Sequence, residues 1–91
     1  MARNELETSR ERQSNLTFTL QPNPVTNELT VDIRGTTSEI FIYSLGGQLM
    51  YQNAPQVGQL RIDVSQWTEG MYYVQVASEA ERQTKSFVIT R

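Results

Sequence analysis

Ninety-one residues suffice for one domain and not for two, since domains usually run to roughly 100–150 residues, and so short a chain buries too little surface to enclose a deep catalytic pocket. The absence of Cys and His excludes disulfides, zinc fingers, thiolate nucleophiles and Ser/His/Asp triads, and leaves a metal only carboxylates and carbonyls. A net charge of −2 with no block of like charge offers a nucleic-acid backbone no platform, no apolar run approaches the roughly 18–20 residues of a membrane span, and 22 Leu, Ile, Val and Phe place the chain among globular rather than disordered sequences.

Residues 1–15 mix Glu5, Glu7 and Glu11 with Arg3, Arg10 and Arg12 and contain only three apolar residues. No face there could pack on a core, so they are read as a flexible linker; the alternative, a lone exposed helix, is too short to be stable in water. The stretch fits neither a signal-peptide core nor a basic amphipathic anchor, so if the protein is exported its address is expected elsewhere. The lack of Cys suits either redox compartment.

From residue 16 the period changes to two, marking a domain over 16–91. Leu16, Phe18 and Leu20 alternate with Thr17 and Thr19; Leu29, Val31 and Ile33 alternate with Thr30 and Asp32. Each run reads as a strand with one buried face. Residues 39–44 are apolar on both faces, as in a central strand, and 48–52 form a shorter partner. Leu60, Ile62 and Val64, then Tyr72, Val74 and Val76, and a last run from about Arg82 through Phe87 and Ile89 complete seven predicted strands.

Turn chemistry separates the runs. Pro22-Asn23-Pro24 cannot continue a ladder, because neither proline has an amide hydrogen. Gly46-Gly47 suits a tight hairpin between 39–44 and 48–52. Asn53-Ala54-Pro55 and Gly58 are expected to bound another loop. Residues 65–70 resemble one helical turn, capped by Ser65 and ended by Gly70. Seven short strands with almost no helix predict an all-β fold, a seven-stranded antiparallel immunoglobulin-like sandwich.

Little here is chemically reactive. Glu79 and Glu81 sit between strands beside Ala80 and Arg82, a solvated turn rather than a catalytic pair, which needs an apolar pocket around one acid. Asp32 and Asp63 lie on polar faces and cannot supply the six or more oxygens calcium takes. Trp67, Tyr43, Tyr51, Tyr72 and Tyr73 could form an aromatic platform for sugar or peptide, but in so small a domain the rings are read as buried area with Trp67 plugging the open end of the sandwich; Tyr73, on the opposite face from Tyr72, is the exception. Lys85 and Arg91 bracket the terminal strand either as solubilising gatekeepers at a sheet edge or as part of a recognition tag.

Four motifs in order carry a resemblance: Pro22-Asn23-Pro24 with Leu29-Thr30-Val31; Ile42-Tyr43-Ser44 with Gly47-Gln48; Ile62-Asp63-Val64-Ser65 with Gly70-Met71-Tyr72-Tyr73-Val74-Gln75-Val76; and Lys85-Ser86-Phe87-Val88-Ile89. Together, over about residues 20–91, they resemble the type A C-terminal sorting domain of the type IX (Por) secretion system. Trp67 stands where that family commonly has Leu, and Ser86 replaces a second base often seen beside Lys85.

The resemblance implies a non-enzymatic secretion signal without cofactor or metal. Its cargo would cross the periplasm, be recognised by the translocon and shuttle components, and reach the outer-membrane surface or the medium. A sortase-like cysteine peptidase would cut in or beside residues 1–15. Recognition is expected from Gly70, Tyr72, Tyr73, Lys85, Phe87, Val88, Ile89 and Arg91, on a frame held by Pro22, Asn23, Pro24, Gly46, Gly47, Asp63 and Ser65. The chain's own physics adds a possible weak homodimer through the terminal edge strand, and no nucleic acid or membrane insertion. The alternative is a generic immunoglobulin-like accessory or adhesion domain that binds glycan or protein through Tyr73 and the loops.

Overall fold

The computed structural model describes residues 16–91; the expected linker and its cut at 1–15 lie outside the described residues. Five strands follow one another: β1 (Thr17–Gln21), β2 (Glu28–Ser44), β3 (Leu49–Asp63), β4 (Gly70–Ala77) and β5 (Arg82–Ile89). All strand pairings are antiparallel. β2 and β3 are long because each passes from one layer to the other, with register shifts between Ile33 and Ser38 and again between Ser38 and Ile40. Bulges of this kind bend a strand and raise its twist. The seven predicted runs are the resulting segments.

One layer holds β1, residues 28–33 of β2 and residues 58–63 of β3; the other holds residues 49–53 of β3, residues 38–44 of β2, then β4 and β5. Between them lies the core. Phe18, Leu29, Val31, Ile33 and Ile62 from the first layer meet Ile40, Ile42, Val74, Val76, Phe87 and Ile89 from the second, all nearly inaccessible. At roughly 25 cal/mol per Å² of apolar surface removed from water, this one cluster is the main favourable term for so small a body.

Three local expectations need correction. Asn53-Ala54-Pro55 does not break the chain: β3 runs through it, because Ser38 pairs with Gln56 and Ile40 with Asn53 on either side of the bulge. Residues 65–70 are not a helical turn. The Trp67 N–H donates to Val64 O at 3.0 Å, a single β-turn, and the side chain that closes it is Asp63, whose Oδ1 accepts from the Ser65 N–H at 2.9 Å, so Ser65 is donor rather than cap. Of the Gly46-Gly47 pair only Gly47 has positive φ, 96°. The hairpin itself forms as expected: Gly47 N–H donates to Ser44 O at 2.9 Å and Ser44 N–H to Gln48 O at 2.8 Å, a three-residue loop whose last position is left-handed.

Candidate functional site

The two-residue period of β4 and β5 sorts the residues expected to carry recognition. Tyr72, Phe87 and Ile89 point inward and are at most 3% exposed. Gly70, Lys85, Val88 and Arg91 are exposed and Tyr73 is half-buried on the outer face. The register sets Tyr72 opposite Phe87, Met71 opposite Val88 and Gly70 opposite Ile89, and it puts Lys85 opposite Val74 on the inward phase, so of the exposed strand residues only Tyr73 and Val88 lie on the outer face of the pair. The inward group packs. The Tyr72 ring stacks on Phe87 at 5.5 Å and lies 5.3 Å from Trp67, and its hydroxyl donates to Thr68 O at 2.7 Å. Trp67 is half-buried against the core, which is the plug the sequence suggests.

Of the segment's three cations, Lys85 and Arg91 are committed to backbone. Lys85 Nζ donates to Phe18 O at 2.7 Å and stands 5.0 Å from the Phe18 ring centroid. Gln83 Nε2 donates to Leu16 O at 2.7 Å. These two side chains close the seam between β5 and residues 16–18, supplying donors to two backbone carbonyls there. Arg91 gathers three segments. Its guanidinium donates to Thr26 O, to Asn27 Oδ1 at 3.2 Å, to Val64 O at 2.8 Å and to Trp67 O at 2.6 Å, while its backbone N–H donates to the Glu69 carboxylate at 2.7 Å.

The outer edge of β5 is partly occupied. Val25, fully buried just after the Pro22-Asn23-Pro24 break, donates its N–H to Val88 O and accepts from the Thr90 N–H, both at 2.9 Å. The edge expected to be open for strand addition is therefore taken at its C-terminal end. Among the frame residues, Asp63 has its pKa held below the ordinary aspartate value by the Ser65 hydroxyl and then by the Ser65 amide. The Glu79 and Glu81 stretch is a turn organised by Ser78, whose N–H donates to Glu81 O at 2.8 Å. Among the described residues no three acidic side chains gather closely enough to hold a metal ion.

A family model described as a secretion system C-terminal sorting domain matches residues 19–90, from within β1 to the residue before Arg91. The chain belongs to this family. Its members are secretion tags rather than catalytic domains, and the type IX resemblance carried by the four sequence motifs is borne out at that level. No curated protein matches the chain. One solved structure, described as PorZ, an essential bacterial surface component of the type IX secretion system of Porphyromonas gingivalis, is 18% identical with a TM-score of 0.64 over 81% of this chain. The chain spans about 11% of that protein's length, and at this identity the likeness shows the fold.

For a sorting domain, the residues that sequence reasoning missed are those that hold the C-terminal segment down. Val25, Gln83 and Glu69 make contacts at long sequence separation, for which no local pattern exists. Phe41, Tyr43 and Met71, outward on the second layer, were legible from alternation, since they fall out of phase with Ile40, Ile42 and Tyr72.

Proposed function

We propose that residues 16–91 direct a passenger protein through the type IX system, by way of the periplasm and across the outer membrane to the cell surface or the medium. Translocon and shuttle components recognise the domain, and a sortase-like cysteine peptidase removes it by cutting in or beside residues 1–15. The observation that carries this reading is the family match over 19–90, which spans nearly the whole folded body. The burial of Tyr72, Phe87 and Ile89 supports recognition of a folded surface, because direct contact is left to Gly70, Tyr73, Lys85, Val88 and Arg91. Pro22, Asn23, Pro24, Gly47 and Asp63 shape the loops that hold that surface.

The test fuses the chain to a periplasmic reporter in a type IX-competent cell. Deleting 85–91 is a poor control, since it removes two core residues together with any contact. Val88→Asp and Lys85→Gln, each checked for a native melting transition, separate the two. Surface delivery by the intact fusion and its loss in a folded Val88→Asp variant support the reading. Retention of the intact, folded fusion in the periplasm, or equal delivery of the reporter alone, would overturn it.

A further inference from the structure

The outer surfaces of the two layers differ in kind. The layer of β1 shows water Thr17, Thr19, Asp32, Arg34 and Arg61, a polar face with an Asp32–Arg34 ion pair at 3.0 Å. The other layer, followed row by row across β2, β4 and β5, presents Glu39, Ala77 and Arg82; then Phe41, Gln75 and Thr84; then Tyr43, Tyr73 and Ser86. Met71 and Val88 lie one row further, 40% and 36% exposed, and Leu45, 67% exposed, follows the end of β2. Glu39 and Arg82, flanking Ala77 at one end, are the only charges in these rows.

We propose that this face packs against the same face of a second copy of the chain, with a two-fold axis running along β4. Rotation about that line keeps every row and exchanges β2 with β5. Glu39 then meets the partner's Arg82, so the one acid and the one base neutralise each other twice. Phe41 meets the partner's Thr84 and Tyr43 the partner's Ser86, a large ring over a small hydroxyl side chain in both rows. Ala77 and Tyr73 meet their own copies on the axis. A surface that satisfies one two-fold operator in charge and in size is self-complementary in the sense a symmetric dimer requires.

The scale fits a weak complex. About this axis three strands about 4.8 Å apart and about eight residues long meet their counterparts and cover roughly 400 Å² per copy, or about 800 Å² in all, the size of a weak, transient contact. The route differs from strand addition at β5, where Val25 holds Val88 and Thr90 and where Lys85 and Gln83 turn to residues 16–18. It is also independent of whether the domain is a secretion signal.

Sedimentation equilibrium of the full chain across the micromolar to millimolar range tests it. A reversible monomer–dimer equilibrium is expected, abolished by Tyr73→Asp. Tyr73 lies on a central strand, so that change leaves both sheet edges intact and an edge-paired dimer would survive it. Glu39→Arg should weaken association about tenfold by setting like charges together, and adding Arg82→Glu should restore it. The charge pair decides the matter if Tyr73→Asp fails to give a native melting transition. A monomer throughout, a dimer that persists in folded Tyr73→Asp, or a double charge exchange that fails to restore association would each overturn the proposal.

Discussion

Phe87→Ala, set beside Val88→Ser, separates the two ways in which the C-terminal strand can matter. Phe87 is 1% exposed and its ring stacks on Tyr72, which in turn holds Trp67. Truncating a core Phe costs about 3–5 kcal/mol, more where neighbours cannot collapse into the space. Collapse here is resisted, because Tyr72 is tethered by its hydroxyl to Thr68 O at 2.7 Å. A body of this size is stable by only about 4–11 kcal/mol at 0.05–0.15 kcal/mol per residue, so the variant keeps about three-quarters of its stability at best and at the lower end does not fold. With about 4–8 °C per kcal/mol in small domains, the melting temperature should fall by about 12–40 °C. Val88→Ser removes an outward side chain and leaves its carbonyl free to accept from Val25, so its cost should stay within about 1 kcal/mol. Urea titration followed by fluorescence of Trp67, the sole tryptophan, reads both variants in one signal. A Phe87→Ala chain within about 1 kcal/mol of the parent, or a Val88→Ser chain as unstable as Phe87→Ala, would refute the assignment of inward and outward roles.

Arg91→Ala should cost about 1–2 kcal/mol, since charge-assisted bonds are gained against the entropy of ordering a long exposed side chain. Three of its four guanidinium acceptors are neutral carbonyls and the fourth is an amide oxygen, so the loss should be much the same in low and high salt; a cost that vanishes with added NaCl would argue for simple charge attraction instead. Gly47→Ala, at φ 96°, should destabilise by about 1 kcal/mol while Gly46→Ala is near neutral; equal thermal shifts would mean that the loop is not the left-handed type described. Asp63 has a folded-state pKa below the ordinary value of 3.8, so the unfolded chain binds its proton first. Its contribution is complete above the ordinary aspartate range and is lost as the pH falls through the folded-state value. Asp63→Asn should therefore lose less stability than the parent as the pH falls below the ordinary aspartate range, and superimposable acid titrations would count against the Ser65 contacts.

Alternation made the strands legible because each has one buried face; its phase changes where the chain bends, from Leu29, Val31 and Ile33 to Ile40 and Ile42. The same alternation places Tyr72 with Val74 and Val76, and Phe87 with Ile89, so the sequence already contained the division between packing and surface residues. What stayed hidden has two causes. Asn53-Ala54-Pro55 carries turn chemistry, yet partners on β2 hold the strand through it, a tertiary effect that local propensity does not encode. Ser65 was read as a cap on its residue type, whereas Asp63 two positions earlier reaches the same turn with a charged acceptor. The contacts of Gln83, Lys85 and Arg91 join positions 64 to 67 residues apart for the most part, where nothing in the sequence pairs donor with acceptor.

These long-range contacts change how truncation of the segment must be interpreted. β5 supplies an inner row of the core, donors to residues 16–18 at the seam through Gln83 and Lys85, and the outer partner of Val25; Arg91 then ties residues 26–27 to 64–69. A chain that lacks 82–91 leaves β4 unpaired on one side and exposes Phe18 and Val25, so it forfeits the body and not merely a tag. Loss of export on truncation is thus the expected result under either reading of the tail, contact or scaffold. Only changes on the outward phase, at Met71, Tyr73 or Val88, leave the core intact while altering what a receptor can touch. If folded variants at all three positions were exported as well as the parent, recognition would have to lie on the loops or the first layer, and the C-terminal segment would act by completing the sandwich.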